Sequence, residues 1–156
     1  MNGKTEMIDT SDDEGLRLSN QLCFATYSTA QAFNRVYKSQ LDRLGLTYPQ
    51  FLVMLVLWEE DGVAVKDIGQ RLNLDSGTLT PLLKRLEAAG VVRRARDPKD
   101  ERQVRISLTE KGRALKGDVA EARRHAACAT GLSPDQIRAL KEEMTRLRDS
   151  LNDSPS

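Results

Sequence analysis

Between Lys66 and Leu108 the hydrophobic period of this chain changes from that of a helix to that of a strand, and few folds accept that order. From Lys66 to Leu72, and again from Ser76 to Ala89, apolar residues recur every three or four positions: Ile68 and Leu72, then Leu79, Leu82, Leu83 and Leu86. At about 100° per residue the four leucines share one face, so both runs are expected as helices with the leucines as core. Asn73-Leu74-Asp75 is the turn between them, with Asp75 a natural N-cap, and Gly90 stands where a left-handed stop is wanted. The period then falls to two. Val91–Arg96 and Gln103–Leu108 alternate as strands, joined by the turn-rich Asp97-Pro98-Lys99-Asp100. Helix, tight turn, helix and two-stranded ribbon is the order of a winged helix-turn-helix.

The flanks read as helices. Leu18, Leu22, Ala25, Phe33, Val36 and Tyr37 recur at mostly helical spacing, which predicts one helix of roughly 25 residues from Leu16 to Gln40. Gly45 punctuates its end. Thr47-Tyr48-Pro49-Gln50 has the form of a capping box with proline in the first turn. It launches the apolar run Phe51–Trp58, eight residues long, too short to span a membrane. Asp61-Gly62 stops that helix, and Val63-Ala64-Val65 allows only a small edge strand. Thr109 caps a further helix to about Ala129, and Gly131-Leu132-Ser133-Pro134 breaks the chain. Ile137, Leu140, Met144, Leu147 and Leu151 then follow a 3-4-3-4 spacing, the seam of a helix that packs on another helix.

The net charge of +1 hides an uneven distribution. Residues 1–15 set one lysine against five carboxylates, a net of −4, and read as an acidic, poorly ordered arm with no signal-peptide core. Residues 84–105 set eight Lys or Arg against four Asp or Glu, a net of +4. Charge alone fits a solvated surface as well as a nucleic-acid footprint; the order of elements favours DNA. On the helix from Ser76, the face opposite the leucines carries Gly77, Thr78, Thr80, Pro81 and Lys84. Small and hydroxyl-bearing side chains there admit close approach to a major groove and contacts to phosphates and thymine methyls. The ribbon adds Arg93, Arg94, Arg96, Lys99, Arg102 and Arg105. Arg102, near its tip, suits a narrow minor groove, and Asp100 is placed to hold that guanidinium in a bidentate pair.

The stretch VKDIGQRLNLDSGTLTPLLKRLEAAGVVRRARDPKDERQVRISLTEKG resembles the core of the multiple-antibiotic-resistance regulator (MarR) family, and the resemblance runs from about Leu18 to Leu151. It implies an α+β, mostly helical winged-helix homodimer. The helical regions 16–46 and 110–156 would form the dimerisation part and 47–109 the DNA-binding part. It further implies binding to a pseudo-palindromic operator, with Asp100 and Arg102 as the wing-tip motif, so the chain is expected to be a transcription repressor with no cofactor. The lack of a signal-peptide core and of a membrane-length apolar run predicts that it stays in the cytoplasm.

Within that family, QLCFATYSTAQAFNRVYKSQLDRLGLTYPQF is similar to the organic hydroperoxide resistance regulators (OhrR). The resemblance implies that Cys23 is the redox-sensing cysteine, that Tyr37 and Tyr48 hydrogen-bond its sulfur, and that Cys128 is the resolving cysteine of the two-cysteine type. Organic hydroperoxides would then be the inducers and an intersubunit disulfide the oxidised product. The chemistry agrees, because a thiol reacts with peroxide as the thiolate and needs donors that stabilise negative sulfur. Geometry adds a constraint. Cys23 and Tyr37 are 14 residues apart, about 21 Å on one straight helix, so their contact requires a partner subunit. Tyr27, at i+4 from Cys23, can reach it within the chain. The alternative reading keeps Cys23 as a small buried hydrophobe in a MarR-type regulator that answers to a bound phenolic ligand. Two cysteines without further ligands suggest neither a disulfide framework nor zinc. The absence of a CxxC and of an alternating parallel-strand pattern argues against a thiol peroxidase.

Overall fold

The computed structural model describes residues 14–155. The acidic arm expected over residues 1–15 thus lies outside the described residues, Glu14 and Gly15 apart. Six helices and three strands follow in the order α1 (Leu22–Leu41), α2 (Tyr48–Glu59), β1 (Val63–Ala64), α3 (Val65–Leu72), α4 (Ser76–Ala88), β2 (Val92–Asp97), β3 (Asp100–Leu108), α5 (Glu110–Ala129) and α6 (Pro134–Asn152). The architecture is mostly helical with one small antiparallel sheet, in the order β1-β3-β2. β1 is the expected edge strand, pairing Val63 with Ile106 and Ala64 with Arg105.

The first helix begins later than its periodicity predicts. Leu18–Asn20 form a single 3-10 turn and Gln21 is extended (φ −88°, ψ 117°), so α1 starts at Leu22. Local side-chain competition explains the break. The Gln21 amide donates to the carbonyls of Gly15 (2.6 Å) and Arg17 (3.0 Å), and the Asn20 amide donates to that of Glu14 (2.8 Å). Carbonyls that a continuing helix would use are thereby taken. Beyond Gln21 the helix runs unbroken to Leu41, and Gly45 (φ 69°) closes the 3-10 turn that follows it.

The other starts follow their capping residues. Thr47 and Gln50 form the reciprocal capping box of α2, Asp75 accepts from the Thr78 N–H at 2.7 Å, and Thr109 accepts from Gly112. Ser133 and Gln136 make a second reciprocal box at α6, which the sequence reading did not single out. Pro81 lies inside α4 without ending it.

The core gathers between Leu41 and Ala126. Leu79, Leu83 and Leu86 of α4 pack with Phe51, Met54 and Leu57 of α2, Ile68 of α3, and Val92 and Ile106 of the sheet. Each such leucine contributes about 1.5–3 kcal/mol through burial. Leu82, expected with them, is only half-buried. With its apolar stripe fixed inward, α4 must present its opposite face to solvent.

Outside that span the pattern reverses. Residues 14–40 and 127–155 contribute no fully buried side chain. Ten of the eleven large exposed hydrophobics fall there, among them Leu22 (64% exposed), Phe33 (39%), Leu140 (51%) and Leu151 (65%).

Gly112, in the first turn of α5, makes the closest approach to a neighbouring backbone of the glycines described. A Cβ there would lie 2.1 Å from the Val91 carbonyl oxygen, while its own carbonyl accepts the Trp58 indole N–H at 2.9 Å. A Cβ on Gly117, in the same helix, would meet nothing within 4 Å. Glycine-to-alanine exchange ordinarily strengthens a helix interior by about 0.5–1 kcal/mol. Gly117→Ala is therefore expected to raise the urea midpoint and Gly112→Ala to lower it sharply; a shared sign would refute this account of the contact.

Candidate nucleic-acid interface and thiol site

On the outward face of α4, Gly77, Thr78 and Lys84 are exposed and Thr80 is half-buried beneath the ribbon. Asp75 orders the first turn. The Thr78 backbone N–H, donating to its carboxylate, holds Asp75 below the ordinary carboxylate range.

β2 and β3 pair from Val92–Leu108 to Arg96–Val104, and the register slips between Arg96 and Asp97 at the tip. The ribbon cations divide into two groups. Arg93, Arg96, Lys99 and Arg102 are exposed and form no ion pair among the described residues. Arg94 is turned inward instead. Its side chain is 28% exposed, and its Nε lies 3.6 Å from Glu87 of α4, whose other carboxylate oxygen accepts the Arg94 backbone N–H at 3.2 Å. Arg105 is also engaged, donating from Nε to Asp97 (2.6 Å) and from Nη1 to the Gly62 carbonyl (2.7 Å).

Asp100 departs from its expected role. It accepts from the Arg102 backbone N–H (3.1 Å) and the Gln103 amide (3.2 Å), so it shapes the turn. The Arg102 guanidinium is not clamped. A groove of about 430 Å³ separates the ribbon from α3 and α4, lined by Lys66, Thr80, Arg94, Arg102 and Gln103 among others. Lys66 is a cation the sequence reading passed over, because only the fold brings the start of α3 beneath the ribbon.

The sulfur-related residues occupy separate places. Cys23 is exposed in the first turn of α1, where helix-terminal N–H groups favour negative charge. It lines an open, largely apolar groove of about 700 Å³ with Leu22, Tyr27, Met144, Leu147 and Leu151. Tyr27 is therefore in the same groove, although its hydroxyl accepts the Gln31 amide at 2.9 Å.

Tyr37 and Tyr48 sit together at the opposite end of α1. Their ring centroids are 5.4 Å apart, and Phe51 lies 5.1 Å from Tyr37. Some 14 residues of unbroken helix separate Cys23 from Tyr37, about 21 Å at the usual rise. Within one chain the cysteine and this pair do not meet. Cys128 is exposed near the end of α5, two positions beyond buried Ala126 and so roughly on the opposite face. Both cysteines are free thiols. Among the described residues no group of three or more His, Cys, Asp or Glu side chains is placed to hold a metal, and no helix is long and apolar enough to cross a membrane.

A helix held outward by its leucine stripe, with a basic ribbon beside it, defines a winged helix-turn-helix DNA-binding protein. The comparisons agree with that class. Residues 35–119 match the family model "Transcriptional regulator SarA/Rot". The chain is 56% identical over 149 residues to the HTH-type transcriptional regulator TtmR of Methylorubrum extorquens, covering 96% of this chain and 76% of that one. It is 42% identical over 137 residues to the organic hydroperoxide resistance transcriptional regulator of Bacillus subtilis, covering 88% and 93%. Among solved structures it is similar to AbfR of Staphylococcus epidermidis. Overoxidized AbfR bound to DNA superposes with a TM-score of 0.74 at 41% identity, covering 88% of this chain and 97% of that one. Reduced AbfR on DNA gives 0.74 at 40% identity, covering 90% and 99%. Disulfide-formed AbfR gives 0.62 at 40% identity, covering 86% and 94%. The chain belongs to the MarR/SarA-type family of winged-helix transcriptional regulators, and the Methylorubrum and Bacillus relatives are named as regulators rather than enzymes.

Burial pushes the phenols of Tyr37 and Tyr48 above their ordinary value of 10.0; at Tyr37 the neighbouring Tyr48 adds to the rise and Arg123 of α5 opposes it. Both remain proton donors at neutral pH. A folded-state pKa above the unfolded value means that the stability linked to these phenols is intact below pH of about 10 and is lost as pH rises through the raised values. Thermal melts of the wild type should therefore fall in that alkaline window. The Tyr37→Phe/Tyr48→Phe variant should show a shallower fall and lose the alkaline-shifted part of the phenolate absorbance titration. A wild-type titration in which all three phenols ionise together at the ordinary value would place both rings in water.

Proposed function

We propose that this regulator is a homodimeric, cytoplasmic repressor that leaves its operator when an organic hydroperoxide oxidises Cys23. The observation that carries the reading is the position of Cys23, exposed in the first turn of α1 on an apolar groove. Such walls favour an alkyl hydroperoxide over hydrogen peroxide. The name of the Bacillus subtilis relative points the same way.

Dimerisation supplies what one chain lacks. The exposed apolar residues of α1 and α6 need a covering surface, and a second copy provides the same stripes related by a two-fold axis. Residues 16–46 and 110–156 form this dimerisation part on the proposed reading, and 47–109 the DNA-binding part. The partner's Tyr37 and Tyr48 then donate to the Cys23 sulfur of this chain, whose own tyrosine pair lies about 21 Å away along α1. Gly77, Thr78, Thr80 and Lys84 face a major groove, Arg96 and Lys99 meet phosphates, and Arg102 enters the minor groove of a pseudo-palindrome. Arg94 serves from the groove behind the ribbon, and Asp100 acts by shaping the tip.

The chemistry balances without a cofactor. The Cys23 thiolate attacks the distal peroxide oxygen; an S–O bond forms, the O–O bond breaks, and the alkoxide takes a proton to leave as the alcohol. The Cys128 thiolate of the other subunit then attacks the sulfenic sulfur and expels hydroxide, which leaves as water, forming the disulfide. That bond needs Cα atoms within about 7 Å; where the reduced dimer holds them farther apart, closing it draws interface helices together and changes the spacing of the two α4 helices. AbfR has been solved on DNA both reduced and overoxidized, and also with its disulfide formed. Those forms favour the disulfide, rather than oxidation as such, as the releasing event.

The test uses a DNA duplex selected by the wild-type chain from a random-sequence pool. One equivalent of cumene hydroperoxide should release the wild type and yield a covalent dimer on non-reducing electrophoresis. Cys23→Ser should bind DNA and stay bound. Cys128→Ser should run as a monomer and over-oxidise more readily. Release of the Cys23→Ser protein would move the sensor elsewhere; a wild type indifferent to peroxide would favour a regulator controlled by a bound phenolic ligand.

A further inference from the structure

We propose that Asp97 and Arg105 are positioning residues for DNA binding, which hold the wing tip, and Arg102 on it, at a fixed distance from the domain body. Arg105 is thereby a strut rather than a DNA contact, and the proposal rests on the reading of Arg102 as a groove-binding residue.

The ladder alone does not tie the tip to the domain body. Regular pairing ends at Arg96–Val104, the register slips before Asp97 pairs with Asp100 across the turn, and β1 adds only two paired residues to β3. Asp97 provides the missing constraint. It is 5% exposed, and its carboxylate accepts the Lys99 backbone N–H at 2.8 Å and Arg105 Nε at 2.6 Å. Those bonds, the Lys99 N–H first, keep it below the ordinary carboxylate range. The same guanidinium donates from Nη1 to the Gly62 carbonyl at 2.7 Å. Arg105 therefore bridges the tip of the wing to the loop between α2 and β1.

The chain of bonds continues inward. Asp61 accepts the N–H groups of Gly62 (2.9 Å) and Leu108 (2.8 Å), and its second oxygen accepts Arg113 of α5 at 2.9 Å. An unbroken polar path thus runs from the Lys99 N–H at the tip to the helix that carries Cys128. Were Arg105 to leave for a phosphate, Asp97 would keep the Lys99 N–H but lose its counter-charge, a costly change for a carboxylate with little exposure to water. Arg96, Lys99 and Arg102 are meanwhile free for that work.

The experiment measures affinity of the full chain for the pool-selected duplex by fluorescence anisotropy across a salt series. Asp97→Asn and Arg105→Met should each weaken binding about tenfold, leave the salt slope unchanged, and add little to the loss caused by Arg102→Ala. A direct phosphate contact by Arg105 predicts the opposite for Asp97→Asn, tighter binding from a freed cation. It also predicts a slope shallower by about 0.9 for Arg105→Met; either result overturns the strut. A variant without a native melt is replaced by Asp97→Glu, which keeps the charge but lengthens the arm. The same loss is expected there, and wild-type affinity would overturn the proposal. If Arg102→Ala itself binds normally, the wing reading fails and not the strut alone.

Discussion

The rigidity of α1 is the constraint on which the functional reading depends. Twenty residues without a break hold the first-turn cysteine and the tyrosine pair at opposite ends of one rod. A flexible segment would let them meet within a chain and make a self-contained thiol site. The rod forbids that, and it also leaves an apolar stripe that its own chain covers only in part. Both needs are met by one arrangement, a second copy laid against α1 and α6, so on the proposed reading assembly and sensing are one structural requirement. The separation also sets the mechanism's range: a bond formed near the interface must move whole helices, because the rods do not bend locally.

Much of this was legible in the sequence because single residues there have single uses. Asp75, Thr47 with Gln50, and Thr109 are side chains whose caps follow from local chemistry, and each start falls where it was expected. The 3.6-residue leucine stripe of α4 and the alternation in β2 and β3 are equally local. The start of α1 was not legible. Its apolar spacing continues through Leu18, and the break comes from the Asn20 and Gln21 amides folding back onto carbonyls, a choice that periodicity does not register. The partial burial of Leu82 at the edge of the stripe is of the same kind, since only the packed neighbours decide where a face ends.

The electrostatic surface was legible as a total and not as a pattern. Apart from Arg102 at the tip, nothing in the sequence separates the ribbon cations, yet Arg94 and Arg105 are engaged by Glu87 and Asp97. Glu87 is seven residues from Arg94 and Asp97 eight from Arg105. Neither spacing is a helical neighbour relation, so the pairs arise from the hairpin and from α4 packing beside it. Asp100 shows the converse error: two residues from Arg102, it looked like a partner for the guanidinium, but the tight turn brings the backbone N–H closer. Lys66 was overlooked because nothing local distinguishes a lysine that ends up under a wing.

Charge engaged internally changes how such a wing is tuned. A ribbon whose cations were all free would bind duplex DNA through charge count, strongly and with little regard to geometry. Committing Arg105 to Asp97 lowers the number of phosphate contacts available and uses that charge to define where Arg102 sits. Affinity then depends on the tip being in place, and the tip is bonded through Gly62 and Asp61 to Arg113 on α5. A helix displacement of an ångström or so at the interface reaches the wing through bonds of 2.6–2.9 Å that have little slack. On the proposed reading, disulfide closure acts on DNA binding along two routes, the spacing of the α4 helices and the pose of the wing. Their effects multiply because both must be correct for one complex. A regulator built this way can release its operator after a modest movement, without any change to the residues that face the DNA.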